Sequence, residues 1–380
     1  MIAKKSKSIN FVVENILKDN IILQINPKMD VAFPYLIGKP GGGKTATIKN
    51  LAEKYNAGFI STHFALVPFE ELGGIPNFEK IKIKGKIHTG TKWSFPSIIG
   101  ELFRLSEEKD FVIWLLDDLH LCGSIHMSLL YELLTERKIR DYKIPRNVAI
   151  VMAGNDGNKT GAKMLFSAIV NRVMMLQVHT DINEWDRNYA IPNEVNIGIR
   201  SFLKNDQYTQ YFHEEEEVDS PWGSPRSWSR LSEMINQKEK IEKINSDLLL
   251  YLTNAHVGKT AASSFVNYYK IYRKFDFKQI LKDAEKFTIP DSLSERYSLG
   301  FGLTNYLANN NSEKNCNDFC KILTIYLHET PDIGVIMLKE IIDIEKILNK
   351  KIFTKIYKIM NEDSKKKKIF RKRLDEIQNI

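Results

Sequence analysis

The run Gly38-Lys39-Pro40-Gly41-Gly42-Gly43-Lys44-Thr45 has the residue types and spacing of a loop that wraps a triphosphate. Glycines at 38, 41, 42 and 43, with Pro40 among them, let the backbone curl so that successive N–H groups converge on phosphate oxygens. Lys44 supplies a compact positive charge for the β- and γ-oxygens. The Thr45 hydroxyl is a hard oxygen ligand suited to Mg²⁺. The bland alternative is a glycine-rich turn with a chance lysine, and the flanking sequence argues against it. Pro34-Tyr35-Leu36-Ile37 reads as a short buried strand, with Pro34 tolerable only as its first residue. Thr45 to Tyr55 reads as a helix with Ile48, Leu51 and Ala52 on one face, its N-terminus aimed at the phosphates.

Two further groups extend the chemistry. Phe111-Val112-Ile113-Trp114-Leu115-Leu116 is an unbroken apolar run, as a parallel strand buried on both faces requires, and it ends in Asp117-Asp118. The first carboxylate suits a metal held through water, and the second suits polarisation of an attacking water. Another apolar run, Val148 to Ala153, ends at Gly154-Asn155. An amide there can donate and accept at once, and so can orient a water beside a γ-phosphate; Gly-Asn-Asp-Gly is also good turn chemistry.

The elements that must position these groups follow from periodicity. Phe59–Thr62 supplies the second core strand and Val173–Val178 the last. Strands alternating with helices predict an α/β fold, a parallel three-layer sheet, with ligands at the carboxyl ends of its strands. The expected organisation is a lead-in over 1–30 with an amphipathic piece near Phe11–Leu17, a nucleotide-binding core over 31–180, an all-helical lid over 181–275 and a helical C-terminal region over 276–380. Between the second and third core strands, Lys80-Ile81-Lys82-Ile83-Lys84-Gly85-Lys86-Ile87 alternates lysine and isoleucine around a glycine. That pattern predicts a hairpin insertion at about 78–92, apolar side down and cationic side out.

The strings Leu115-Leu116-Asp117-Asp118-Leu119, Leu129 to Lys138 and Val151-Met152-Ala153-Gly154-Asn155 together resemble AAA+ ATPases of the MoxR-like group. Ala168-Ile169-Val170-Asn171-Arg172-Val173 is similar to that family's arginine-finger segment, and Ser224-Pro225-Arg226-Ser227-Trp228 to its second sensor motif. The resemblance covers residues 30–270; residues 276–380 match nothing recognisable. It implies ATP and Mg²⁺ as ligands, with Thr45 and Asp117 at the metal, Asp118 at the catalytic-base position and Asn155 as first sensor. It also implies Arg172 acting in trans on a neighbour's nucleotide and Arg226 acting from the lid, within a ring of identical copies, by resemblance a hexamer. A guanidinium suits both roles because it keeps its proton while charge develops on the transferring phosphoryl group; each could instead form an ordinary surface ion pair. Where the family carries Glu, this chain has Asp118, one methylene shorter. Since geometry governs a general base, slow hydrolysis or a rarely turning switch follows.

Composition is that of a soluble globular chain of 380 residues, with 43% hydrophobic and 27% charged residues. No signal-like or membrane-length apolar stretch is evident, and three dispersed cysteines (Cys122, Cys316, Cys320) suggest a reducing, cytoplasmic setting. Cys316 and Cys320 with His328 lack a fourth zinc ligand. Of the net charge of +8, seven positive charges sit in residues 365–373, so the remainder sums to +1. A near-neutral body does not support a nucleic-acid surface spread over the fold; the tail could touch phosphates or simply be a solvated helical end. The acidic run Glu214 to Glu217 reads as a solvated loop. These observations lead to an ATP hydrolase that remodels a protein client. The alternatives are a nucleotide-gated binding protein with little turnover and a motor or loader on nucleic acid.

Overall fold

The computed structural model describes residues 9–26, 31–155, 167–212, 220–242 and 244–378; the acidic run at 214–217 lies outside them. Ser6–His179 forms one compact unit and Thr180–Ile380 another, the second spanning both the expected lid and the C-terminal region.

In the first unit the chain runs α1 (Ile9–Ile25), β1 (Phe33–Gly38), α2 (Lys44–Lys54), β2 (Gly58–His63), α3 (Phe69–Gly73), β3 (Pro76–Ile83), β4 (Lys86–Trp93), α4 (Ser97–Glu108), β5 (Val112–Asp117), α5 (Ser124–Glu136), β6 (Lys138–Ile139), β7 (Tyr142–Lys143), β8 (Val148–Asn155), α6 (Ser167–Val170) and β9 (Val173–Gln177). Five strands pair in the order β2-β5-β8-β1-β9, all parallel. Alternation along each strand builds two cores. Val112, Trp114 and Leu116 face Ile99, Leu102, Leu129 and Leu133 of α4 and α5. Ile113 and Leu115 face Leu17 and Ile21 of α1 and Ile48 and Leu51 of α2. The result is a three-layer α/β phosphate-loop core followed by a helical region.

Pro34 is the second residue of β1, in an interior strand, and not the first as the sequence predicts. Pairing of β1 with β8 begins only at Tyr35, and the Phe33 N–H bonds Arg172 O on the β9 side. Backbone N–H groups alternate sides along a strand, so the nitrogen at Pro34 faces β8 before that ladder starts, where no N–H is needed. The same short gap gives α1 its place. Gln24 Nε2 donates to Ile150 O at 2.9 Å and the Ile150 N–H donates to Gln24 Oε1 at 2.8 Å, a side-chain amide standing in for a strand. Asn20 Nδ2 donates to Ala32 O at 2.8 Å, fixing the chain that enters β1. The N-terminal segment is therefore a full helix packed on the sheet, longer than the amphipathic piece the sequence suggests.

Strands β3 and β4 form the expected hairpin, turning at Lys84 (φ 49°) and Gly85 (φ 82°). The expected apolar side is absent. Across the two-residue turn Ile83 pairs with Lys86 and Lys82 with Ile87, so side chains on one face come from paired positions. Ile81 and Ile83 share a face with Lys86, while Ile87 and Phe78 share the other with Lys80 and Lys82. Both faces are mixed and open to solvent, with Phe78 84% and Ile87 69% exposed. The base is clamped: the Arg140 guanidinium lies 4.5 Å from the Trp93 ring centroid, and Tyr142 Oη donates to Trp93 O at 2.9 Å.

The second unit continues with α7 (Ile182–Trp185), a π-turn at Asp186–Ala190, α8 (Ile197–Lys204), α9 (Pro225–Ile241), α10 (Ser246–Val257), α11 (Lys259–Tyr272), α12 (Phe277–Lys282), α13 (Leu293–Asn309), α14 (Glu313–Glu329), α15 (Pro331–Leu348), α16 (Ile352–Glu362) and α17 (Ser364–Gln378). An aromatic cluster around Phe202, Trp228 and Phe265 fills its first half. Four charges, three of them buried and Lys204 half-buried, join the halves: Arg200 bonds Asp186 at 2.6 Å and Glu340 at 2.5 Å, and Lys204 bonds the same two carboxylates at 2.7 and 2.9 Å. The basic stretch at 365–373 is not a free solvated end. It belongs to α17, whose Phe370 is fully buried in a core shared with Cys316, Cys320 and Met360.

Candidate nucleotide-binding site

The phosphate loop links β1 to α2 at the carboxyl edge of the sheet. The Gly42 N–H closes a turn onto Lys39 O at 3.3 Å, with Pro40 and Gly41 as its central residues. Proline pre-sets the first of these, and Gly41 (φ 70°) takes the left-handed conformation the second demands. Gly43 (φ 87°) occupies the cap of α2 and makes no side-chain cap bond, an arrangement suited to an anion at the helix start.

Lys44 and Thr45 turn from the first turn of α2 toward the neighbouring strand ends. Lys44 Nζ donates to Gly38 O at 2.9 Å, Lys39 O at 3.0 Å and Asn155 Oδ1 at 2.9 Å. Thr45 Oγ1 donates to Asp117 Oδ2 at 2.6 Å. The sheet order produces this meeting. Strand β8 lies between β1 and β5, which sets Asn155 opposite Gly38 and beside the carboxylate that ends β5. Asp117 also accepts the Asp118 N–H at 2.9 Å through Oδ1.

Asp118 leaves the strand in the left-handed region (φ 58°, ψ 31°), a conformation uncommon for a residue with a side chain. Its Oδ2 lies 2.9 Å from His63 Nδ1 at the end of β2. His120, in the 3-10 turn just beyond, is buried with its ring against Asn155. The Asn155 N–H donates to His120 Nδ1 at 3.2 Å, and Asn155 Nδ2 lies 3.1 Å from His120 Nε2. Burial pushes this imidazole below its ordinary pKa, against the upward pull of the Asp118 carboxylate.

Six of the residues singled out in the sequence thus meet at one edge: Gly38, Gly43, Lys44, Thr45, Asp117 and Asn155, with Asp118 adjoining. Arg172 stands elsewhere in the same unit, after α6. Its guanidinium stacks 4.8 Å from the Tyr131 ring centroid and donates to Ala168 O at 2.5 Å. Arg226 belongs to the second unit. It is exposed in the first turn of α9, which Ser224 caps through the Ser227 N–H at 3.0 Å, with Pro225 at the first helical position. His63 and His120 carried no motif of their own. Their one signal was position, a polar residue ending a core strand and another two residues past the carboxylate pair.

The arrangement suits a magnesium–nucleotide complex. Thr45 Oγ1 and Asp117 Oδ2 are hard oxygens brought to 2.6 Å of each other beside the uncapped start of α2. Thr45 and Asp117 would hold the ion, which neutralises charge on the phosphoryl oxygens when bound.

No family model and no curated protein matches the sequence. Among solved structures the chain is similar to the Thermotoga maritima RuvB Holliday junction branch migration motor, at 14% identity over 81% of this chain and 88% of that one, with a TM-score of 0.36. It is also similar to NtrX from Brucella abortus, at 15% identity over 76% and 67% of the two chains, with a TM-score of 0.33. At identities and TM-scores this low, the assignment of the site rests on its own geometry.

Proposed function

We propose that this chain is a MoxR-like AAA+ ATPase. It binds ATP·Mg²⁺ between copies in a ring, by resemblance a hexamer, and converts hydrolysis into remodelling of a protein partner. One observation carries the nucleotide reading. The phosphate-loop pair Lys44 and Thr45 reaches Asn155 and Asp117 across adjoining strand ends, at 2.9 and 2.6 Å. A glycine-rich turn with a chance lysine has no reason to meet a strand-terminal amide and carboxylate together. Lys44 and the amides at the start of α2 bind the phosphates, Thr45 and Asp117 take the metal, and Asp118 activates water. Arg172 serves a neighbour's site and Arg226 the nucleotide from the lid. The exposed hairpin β3–β4, with lysines 80, 82, 84, 86 and 92 against Glu79, is the surface proposed to grip a client.

The test is ATP binding and turnover by the full chain with Mg²⁺, beside Lys44→Ala. Wild-type binding that Lys44→Ala abolishes supports the reading; identical behaviour of the two proteins overturns it. A second reading, a nucleotide-gated switch with little turnover, draws on the short Asp118 side chain being engaged by His63. Steady-state hydrolysis below about one event per ring per hour, with binding intact, would favour the switch.

A further inference from the structure

Asn155 is held by two neighbours whose demands conflict. Lys44 is a donor without an acceptor, so the atom it meets at 2.9 Å is Asn155 Oδ1, and the amide NH₂ is left facing His120. His120 then faces two donors at once, the Asn155 N–H at Nδ1 and the Asn155 NH₂ at Nε2. A neutral imidazole has one accepting nitrogen. Whichever carries the proton, one of the two contacts sets donor against donor.

Turning the amide over about its last torsion removes the conflict. Asn155 Oδ1 then accepts from His120 Nε2–H, while Nδ1 continues to accept the Asn155 N–H. The NH₂ group turns to the side where Lys44 now stands, which is compatible only with a Lys44 that has moved onto an acidic oxygen of its own. A nucleoside triphosphate supplies that oxygen.

We infer that His120 is a positioning residue that, once Lys44 engages the triphosphate, locks the Asn155 amide with its NH₂ toward the γ-phosphate and the attacking water. The inference rests on the nucleotide reading of the site and deepens it. Lys44 and His120 hold the two orientations of one amide, acceptor toward the lysine or donor toward the phosphate. Burial of His120 favours the neutral ring, the form an Nε2–H donor with an Nδ1 acceptor requires.

Nitrogen-15 NMR of histidine-labelled full chain, with and without the non-hydrolysable analogue AMP-PNP and Mg²⁺, reads the tautomer directly, with His120→Gln assigning the resonance. The expected result in the AMP-PNP complex is a neutral His120 protonated at Nε2. A complex in which His120 is protonated at Nδ1, or at both nitrogens, overturns the inference while leaving nucleotide binding intact. Failure of the wild type to bind AMP-PNP overturns the site reading and this inference with it. A kinetic cycle gives the second readout. His120→Ala should lower kcat about 10–100-fold, the scale of a misoriented catalytic contact, with AMP-PNP affinity held within about threefold. Combined with Asn155→Ala it should add almost nothing, because both act through one amide. Independent, multiplicative losses overturn the coupling. The tautomer measurement decides the matter should His120→Ala fold poorly.

Discussion

His63 Nδ1 and Asp118 Oδ2 stand 2.9 Å apart, joining the end of β2 to the second carboxylate after β5. The register explains the meeting, since His63 pairs with Asp117 and the left-handed turn at Asp118 brings the next side chain back across the strand end. A carboxylate engaged in this contact is less mobile than a free one.

Three changes at this pair test what it does. Asp118→Asn should lower ATP turnover about 10²–10⁴-fold, the usual contribution of a general base, with nucleotide affinity kept. Asp118→Glu should raise it by restoring the longer reach. His63→Ala should raise basal turnover several-fold by releasing the carboxylate. Steady-state phosphate release measures all three, and a fall for His63→Ala would make the histidine an orienting partner of the base.

Lys44→Ala should remove nucleotide binding while the fold survives. Its Nζ bonds two loop carbonyls and the Asn155 side chain and lies outside the apolar clusters that hold the sheet to its helices. Titration with a fluorescent ATP analogue checks affinity and circular dichroism checks the fold; unchanged affinity would remove Lys44 from the site.

Arg172→Ala should cut turnover by about 10³–10⁵-fold, as loss of an arginine finger does, with affinity mostly intact. Mixing Arg172→Ala with Lys44→Ala protein should restore some activity, because a mixed ring pairs an intact loop with a neighbour's intact arginine. Co-assembly without recovery would confine Arg172 to its stacking contact with Tyr131.

The four-charge cluster of the second unit predicts an acid limit. Arg200→Met leaves Asp186 and Glu340 with a single cation and should cost about 3–5 kcal/mol at neutral pH. Burial alone would raise the Asp186 pKa, but Arg200 and Lys204 bring it below its ordinary 3.8. A group whose folded pKa is depressed adds stability above its unfolded pKa and loses it as pH falls through the folded value. The contribution of Asp186 to wild-type stability should therefore hold from neutrality to about pH 4 and be lost only below. Urea denaturation at stepped pH measures it.

Much of the first unit was legible because its signals are local. Apolar runs gave the core strands to within a residue or two, and the phosphate loop has few sequence mimics. The hairpin's period of two gave its strands and turn, but not its faces, because those depend on cross-strand pairing that only the register at Ile83 and Lys86 fixes. His63 and His120 were hidden for a related reason. Their contacts with Asp118 and Asn155 span 55 and 35 residues and arise from strand order. The packing of α17 was equally invisible, since seven positive charges outweighed the one buried phenylalanine in any reading of composition.

The pairing of Gln24 with Ile150 bears on how this protein can be cut. A fragment beginning at Phe33, where the first recognisable strand starts, would keep every motif discussed above. It would also strip the amide and carbonyl of Ile150 bare inside a slot between two strands, next to the apolar faces of Leu36, Leu115 and Val151. Such a slot is a docking edge for stray extended chain. A minimal nucleotide-binding fragment, on the proposed reading, should thus begin no later than Ile9; one that begins at the strand should precipitate or pair with itself, however complete its set of motifs.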